Sequence, residues 1–310
     1  MNRRIVIIGG TGSLGRELVK FYDKGDYAES IVVFSTDPHK QVSLAREVSK
    51  KCSFVLGDIR RYRSVVDAID GADVVVHAAA LKHVDLGETN VSEFLAVNVD
   101  GANIVADACM RKDIPKVLFI SSDKAVEPVN FYGKTKAIGE DIFLSRGFSV
   151  IRYGNVVNSN GSFLSVWRNA IESGKEIIIR NPDPTRFYLE LCHAVELVDS
   201  AIEATEDGLF IPATLRSFSI SRAFTLFQEA IDELLPMYGI YAWRHAPLMP
   251  GEKQHEVLLG KYENGTQFND ILCLVGKGTN GTLNHSDFSS KTSTIMTDDE
   301  IRAFIKHSLQ

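Results

Sequence analysis

Tyr132 and Lys136 stand four residues apart, so on a helix they share one face. A lysine ammonium beside a phenol favours the phenolate, which can take a proton from a hydroxyl as the carbon bearing it loses hydride. Just upstream, an apolar run ending at Ile120 is followed by Ser121-Ser122-Asp123-Lys124-Ala125. Ser122, at the end of such a strand, would hydrogen-bond the same hydroxyl. Near the N-terminus, Ile5-Val6-Ile7-Ile8 leads into Gly9-Gly10-Thr11-Gly12-Ser13-Leu14-Gly15 and then a helical pattern with Leu18 and Phe21. Strand, glycine turn and helix together are the context of a dinucleotide loop. There Gly9 permits the turn, Gly12 admits a pyrophosphate, and Gly15 lets helix and strand pack closely. The pyrophosphate would rest on free N–H groups at the positive end of the helix. The spacing is G-x-x-G-x-x-G rather than G-x-G-x-x-G, and an ordinary strand-to-helix turn would share it.

The segment Phe34-Ser35-Thr36-Asp37-Pro38-His39-Lys40 follows the second strand and bears on the cofactor. An acidic group there holds a ribose 2′-hydroxyl and favours NAD, whereas hydroxyl and basic groups accommodate a 2′-phosphate. Ser35, Thr36 and Lys40, with Arg16 in the first helix, favour NADP, while Asp37 keeps NAD open. Asp58, in Leu56-Gly57-Asp58-Ile59 after the third strand, either contacts the adenine or caps a helix.

The elements that must position these residues alternate. Apolar runs at Ile5–Ile8, Ile31–Phe34, Ser53–Leu56, Val74–His77 and Val117–Ile120 have the length of buried parallel strands, and each is followed by a helical pattern. This predicts βαβ units and an α/β, Rossmann-like doubly wound sheet covered on both faces. Helical spacing predicts helices over Ser92–Lys112 and over about Asn130–Ser145. Their apolar stripes suit either a homo-oligomer interface or packing on the sheet. Ser149–Tyr153 gives another strand, after which the alternation loosens. Residues 1–148 are expected to form mainly the cofactor domain, and 149–310 mainly a smaller lobe interleaved with the sheet. Short strands such as Glu176–Ile179, and helices near Ala194–Thr205 and Ser221–Leu235, belong to that lobe. Gly276–Thr294 is rich in Gly, Thr, Ser and Asn and is expected to be irregular.

Composition narrows the class. The chain has 310 residues, 34 Lys plus Arg against 40 Asp plus Glu, and a net charge of −6. That balance disfavours non-specific binding to nucleic acid or anionic lipid. No apolar stretch reaches the ~18–20 residues of a membrane span. The run after the basic start is too short for a signal peptide. Cys52, Cys109, Cys192 and Cys273 show neither disulfide-framework nor C-x-x-C metal spacing. A cytoplasmic protein without a metal site is expected.

Several motifs together resemble the UDP-N-acetylglucosamine 4,6-dehydratases, a group of extended short-chain dehydrogenases/reductases. They are Ala79-Ala80-Leu81-Lys82-His83-Val84, Ser122-Asp123-Lys124-Ala125-Val126-Glu127-Pro128 and Asn130-Phe131-Tyr132-Gly133-Lys134-Thr135-Lys136. Arg152-Tyr153-Gly154-Asn155-Val156, Thr185-Arg186-Phe187 and Pro250-Gly251-Glu252-Lys253-Gln254-His255-Glu256 complete the set. The resemblance implies a 4-keto intermediate whose C5 proton is removed while the C6 hydroxyl leaves as water. Ser122, Asp123, Lys124, Tyr132 and Lys136 would be catalytic, with Lys124 and Asp123 as base and acid. It implies that Ile59, Ala78, Ala79, Ala80 and Lys82 join the glycine loop, Tyr132 and Lys136 around the cofactor. It further implies that Lys82, His83, Asn155, Thr185, Arg186 and Glu252 meet a UDP-sugar, although His83 and His255 also suit structural roles. The family's retaining branch is typically membrane-anchored and carries methionine in place of Tyr132. This chain therefore resembles the C5-inverting branch of deoxyamino-sugar pathways. One position departs: Met249 stands where the family commonly has arginine before P-G-E-K, leaving a diphosphate clamp weaker or rebuilt from Arg244 or Lys253. The alternatives are a nucleotide-sugar 4-epimerase or 5,6-dehydratase, or dehydration of another nucleotide sugar. A non-catalytic NAD(P)-sensing protein is disfavoured by the intact Tyr132 and Lys136.

Overall fold

The computed structural model describes residues 3–157, 162–277, 282–283 and 285–309. The apolar runs of the first half become β1 Arg3–Ile8, β2 Ala28–Ser35, β3 Cys52–Leu56, β4 Val74–His77, β5 Lys116–Ile120 and β6 Ser149–Ile151. The second half adds β7 Ile177–Asn181, β8 Thr185–Tyr188, β9 Leu209–Pro212, β10 Arg216–Ser219 and β11 Trp243–Pro247. Beyond these lie β12 Glu263–Gln267, β13 Leu272–Lys277 and β14 Thr294–Ile295. The main sheet runs β12-β13-β9-β6-β5-β4-β1-β2-β3. Pairing is parallel from β3 across to β9, and antiparallel for β13 and β12. The order 3-2-1-4-5-6 is that of the doubly wound Rossmann fold, whose ligand crevice opens at the strand ends where the order reverses.

These strands read as continuous apolar runs because both faces are covered. Ile5 and Ile7 pack with Leu18, Val19 and Val198 of the helices Ser13–Lys24 and Leu191–Glu203. Val6 and Ile8 belong to the opposite cluster, with Val65, Val105 and Phe143 from the helices Tyr62–Ile69, Ala102–Arg111 and Phe131–Leu144. Each such fully buried aliphatic side chain contributes roughly 1.5–3 kcal/mol.

Two stretches depart from the sequence expectation. The single helix over Ser92–Lys112 is instead Val91–Leu95, a π-helical turn Ala96–Gly101, and Ala102–Arg111. The wide turn brings the buried Asn98 amide to Leu81, accepting from its N–H at 2.8 Å and donating to its carbonyl at 2.9 Å. Asn98 also donates to Thr135 Oγ1 at 3.0 Å. Such turns recur at functional sites, and apolar period alone cannot reveal them. In the expected irregular tail, residues 278–281 and 284 lie outside the described residues. After them the chain forms a 3₁₀ turn His285–Phe288, then β14, which joins β10 and β8 in a small sheet. A final helix, Asp298–Leu309, buries Ile301, Phe304, Ile305 and Leu309 on one face. Its Arg302 and Lys306 pair with Glu229 and Glu233 of the helix Ile220–Leu234. A Gly- and Ser-rich approach had masked this amphipathic ending. β9, β12 and β13, all from the second half, complete the main sheet beyond β6.

His77 ends β4 wholly buried, its ring 5.6 Å from Phe119 and 5.7 Å from Phe143, with neither nitrogen hydrogen-bonded. Burial, helped by the Lys136 ammonium, pushes its pKa down from 6.5 to about 3. The folded state therefore binds fewer protons than the unfolded chain between those values. Stability is full above the unfolded pKa and falls as pH drops through the window. Acidification from pH ~6.5 to ~5 is expected to cost about 2 kcal/mol through this residue. His77→Phe should remove most of that slope in urea midpoints measured at the two pH values; an unchanged slope would assign it to other groups.

Candidate active site

A cleft of about 670 Å³ opens at the C-terminal ends of β1, β4 and β5. Gly9, Gly12, Ser13, Leu14 and Gly15 line it from the first turn, Lys40 from beyond β2, and Ala78, Ala80, Lys82 and His83 from beyond β4. Ser122, Tyr132 and Lys136 close its far side. A Cβ at Gly15 would overlap the Gly9 carbonyl oxygen and the Gly10 backbone, so the helix sits against the turn only because residue 15 is glycine. A Cβ at Gly12 would meet only that oxygen, at 3.3 Å. Such a cradle, at the N-terminus of the Ser13–Lys24 helix, fits the diphosphate of a dinucleotide.

Thr11, Ser35, Thr36, Asp58, Ile59 and Ala79 are not among the lining residues. Ser35 is buried beneath Gln41, whose amide donates to Ser35 Oγ at 3.0 Å. Asp58 accepts from Arg60 Nε, and the next helix begins later, at Tyr62 with Arg61 at its cap, so Asp58 does not cap it. Asp37 caps the helix Pro38–Ala45 through Lys40 N–H and pairs with Lys40 Nζ at 3.3 Å. Leu86, Asn90, Glu93, Phe94 and Leu191 also line the cleft. They carry no motif; only the fold brings them there.

Beyond β5 the chain makes a short 3₁₀ turn, Asp123–Ala125, with Ser122 Oγ accepting from Lys124 N–H. Ser122 Oγ donates to Asp123 Oδ1 at 2.8 Å, and Lys124 Nζ donates to the same oxygen at 3.1 Å. On its other side Lys124 Nζ lies 3.3 Å from Glu256 Oε1. Asp123 Oδ2 is buried without a hydrogen bond. Tyr132 packs against this turn because residue 133 is glycine: a Cβ there would overlap the Lys124 carbonyl. Burial raises the Asp123 pKa, opposed by Lys124 and reinforced by Glu256. Burial works against the Lys124 charge, but the Asp123 and Glu256 carboxylates outweigh it and hold the ammonium above its ordinary pKa. Tyr132 is pushed up to about 12 by burial, with the Lys124 ammonium and Ser122 acting the other way.

Lys136 shares the helix Phe131–Leu144 and the cleft wall with Tyr132. Its ammonium donates to the Ile120 carbonyl and lies 3.9 Å above the Phe119 ring. Burial lowers it to about 7, against the pull of Glu140. The helix bearing both residues is tied to β6 and β12 by a buried network. Arg152 donates to Glu140 at 2.6 and 2.8 Å and to Glu263 at 2.7 and 2.9 Å, and Ser121 donates to Glu140.

Of the residues expected to meet a nucleotide sugar, Lys82 and His83 line the cleft, whereas Arg186 lies near Glu256. Arg186 is buried on β8, donating to Glu252 at 3.1 Å and lying 3.9 Å from Glu256. Thr185 Oγ1 is 2.8 Å from His255 Nδ1 and 2.8 Å from Ser290 Oγ, which satisfies His255 structurally. Asn155 has a buried Oδ1 without a hydrogen bond. Met249 is partly exposed, and its N–H donates to Glu252 at 3.2 Å. Of its expected substitutes, Arg244 is held by Glu176 and Lys253 donates to the Val126 carbonyl. Arg180 on β7 is the cation that sequence reasoning missed. It lies 3.5 Å from Glu252 and donates to the Pro247 carbonyl, close to position 249.

A second cavity, of about 930 Å³, lies past Leu191 between β8, β10 and the final helix, and holds none of the expected site residues. Glu190, Cys192 and His193 bring their ligand atoms within 4.8 Å of one another there, but the Tyr188 hydroxyl and Cys192 thiol already donate to Glu190. Among the described residues no helix is long and apolar enough to cross a membrane.

Comparison with known proteins places this geometry. The profile of the polysaccharide biosynthesis protein family matches residues 5–274. The inverting UDP-N-acetylglucosamine 4,6-dehydratase of Campylobacter jejuni is 32% identical over 302 residues, covering 91% of this chain and 87% of that one. A UDP-glucose 4-epimerase of Rickettsia typhi is 33% identical over 273 residues, covering 84% and 78%. The crystal structure of Pen from Bacillus thuringiensis superposes with a TM-score of 0.89 at 26% identity, covering 99% and 98%.

The Arg152 network makes a direct prediction. Arg152→Met leaves Glu140 and Glu263 without their shared cation, an uncompensated burial expected to cost about 3–5 kcal/mol. Urea unfolding would measure it, and a loss below ~1 kcal/mol would show that the network does not hold the Tyr132 helix in place.

Proposed function

The chain belongs to the polysaccharide biosynthesis protein family, within the extended short-chain dehydrogenases/reductases; from that premise we propose that it dehydrates UDP-N-acetylglucosamine with inversion at C5. The product is a UDP-2-acetamido-2,6-dideoxy-L-arabino-hexos-4-ulose. The observation that carries this reading is the ion pair of buried Asp123 with part-buried Lys124, hydrogen-bonded to Ser122 at the cleft wall that Tyr132 shares. A 4-epimerase needs one group to take the C4 proton and return it; a dehydratase needs a further base at C5 and an acid at C6.

Tyr132 takes the proton of the C4 hydroxyl, with Ser122 hydrogen-bonded to the same oxygen. A bound nicotinamide supplies the chemistry of accepting hydride from C4 and giving it back at C6. The C4 ketone acidifies the C5 proton. Lys124 and Asp123 share a 3.1 Å hydrogen bond, so moving one proton along it yields a neutral amine and a carboxylic acid together. The amine removes the C5 proton and the acid protonates the departing C6 hydroxyl, which leaves as water. The ammonium so formed reprotonates C5, and the proton that Tyr132 took from the C4 hydroxyl returns to the Lys124–Asp123 pair, so the net change is the loss of one water.

NADP is the assigned cofactor, supported by Lys40 in the cleft wall and by Asp37, whose carboxylate is committed to its helix cap. Arg180 and Arg186 are assigned to the substrate diphosphate, with Arg180 supplying the charge absent at Met249; both pair with Glu252 in the free protein. Exposed Val91, Leu95 and Ile138, on the helices flanking the cleft, support a homo-oligomer. Inversion rests on Tyr132 standing where the retaining branch has methionine. The 33% identity to a UDP-glucose 4-epimerase favours 4-epimerisation as the second reading.

Incubation with UDP-N-acetylglucosamine is expected to give a product lighter by one water, without net reduction of cofactor. In deuterated water it should carry deuterium at C5. An isomer of unchanged mass would establish the epimerase instead, and unchanged substrate across several UDP-sugars would exclude both.

A further inference from the structure

Resting on that dehydration reading, we infer that Glu256 is a positioning residue of the acid–base pair. Its carboxylate is the standing counter-ion of Lys124 and leaves Asp123 as the carboxyl that takes up and gives back a proton. Glu256 lies 133 positions beyond Asp123 in the sequence (256 − 123), yet it is as deeply buried, at 2% exposure against 1%. A carboxylate is left in such a place only when cations meet it.

Three do, from three elements: Lys124 at 3.3 Å from the turn after β5, Arg186 at 3.9 Å from β8, and Lys253 at 3.9 Å from its own loop. Its backbone is fixed as well, because Glu256 N–H donates to Ser290 Oγ at 2.9 Å. Asp123 is the remaining charge in the group and has no arginine, only Lys124 and the Ser122 hydroxyl. Burial opposes both carboxylates, but the three cations carry Glu256 below its ordinary pKa while Asp123 stays above its own. The two carboxyls thus divide the work. Glu256 stays ionised and keeps Lys124 oriented, and Asp123, met by one cation where Glu256 meets three, takes the proton.

The test is the pH profile of water loss by the holoenzyme, for wild type and for Glu256→Gln. Removing the Glu256 charge takes one carboxylate from Lys124 and a like-charge neighbour from Asp123, so both titrate at lower pH. Both limbs of the bell are expected to move to lower pH by about one unit, with the optimum rate reduced roughly tenfold. A merely structural role would lower the rate and leave both limbs in place, and that result overturns the inference. Should Glu256→Gln fail to fold, as judged by melting with NADP present, Glu256→Asp decides. Its carboxylate withdraws by one methylene, so the same direction of shift is expected, and stationary limbs at a reduced rate overturn the role. A wild-type enzyme that releases no water overturns the dehydration reading itself, a failure visible before any variant is compared.

Discussion

A lysine ammonium removed from water needs carboxylates close by, and the arrangement of this protein's second half follows from where Lys124 finds them. One, Asp123, is its own neighbour. The other, Glu256, arrives from a loop that must return across the sheet end, and it brings Lys253 and, through β8, Arg186. Desolvating this many charges together is costly, and the cost is offset only because the partners lie within about 4 Å, where Coulomb attraction in a protein interior amounts to several kcal/mol. The cluster therefore couples the lobe formed after β6 to the end of β5. Placing Glu256 also places Thr185, His255 and Ser290, since these residues are hydrogen-bonded around it.

The sheet provides the rigid side of that coupling. Parallel strands buried on both faces end at a common edge, and the glycine cradle, the Ser122 turn and the β4 loop all emerge there. Two internal clamps hold the helix of Tyr132 and Lys136 against it. Asn98 reaches from the π-helical turn to Leu81 and Thr135, and Arg152 reaches from beyond β6 to Glu140. The result is a cleft whose acid–base groups are held by hydrogen bonds from at least three separate segments, which is what proton transfer over a few tenths of an ångström demands.

Much of this was legible in the sequence because it is written locally. Apolar runs of four or five residues sufficed for β1 to β6, the doubly wound order follows from their alternation with helices, and the cradle follows from glycine spacing. Ser122, Tyr132 and Lys136 line the cleft as their motif implied. What sequence could not show is who neutralises whom. Lys136 donates to the Ile120 carbonyl and lies over the Phe119 ring, and Lys124 is met by Glu256 from far along the chain. Arg180 reaches Glu252 and the Pro247 carbonyl, while Arg244 is held by Glu176 and Lys253 by the Val126 carbonyl. Pairings of this kind depend on the tertiary path, and no periodicity records them. The last helix escaped notice for a different reason: its apolar face is ordinary, but it follows a stretch whose composition reads as loop.

The central claim is that Lys124 serves the elimination and not the oxidation at C4. The most direct measurement mixes Lys124→Ala holoenzyme with UDP-N-acetylglucosamine in a stopped-flow instrument, following reduced nicotinamide by absorbance and the sugar nucleotide by mass. The account predicts that reduced cofactor forms and persists while the sugar nucleotide loses no water. Water loss at the wild-type rate in this variant would contradict it.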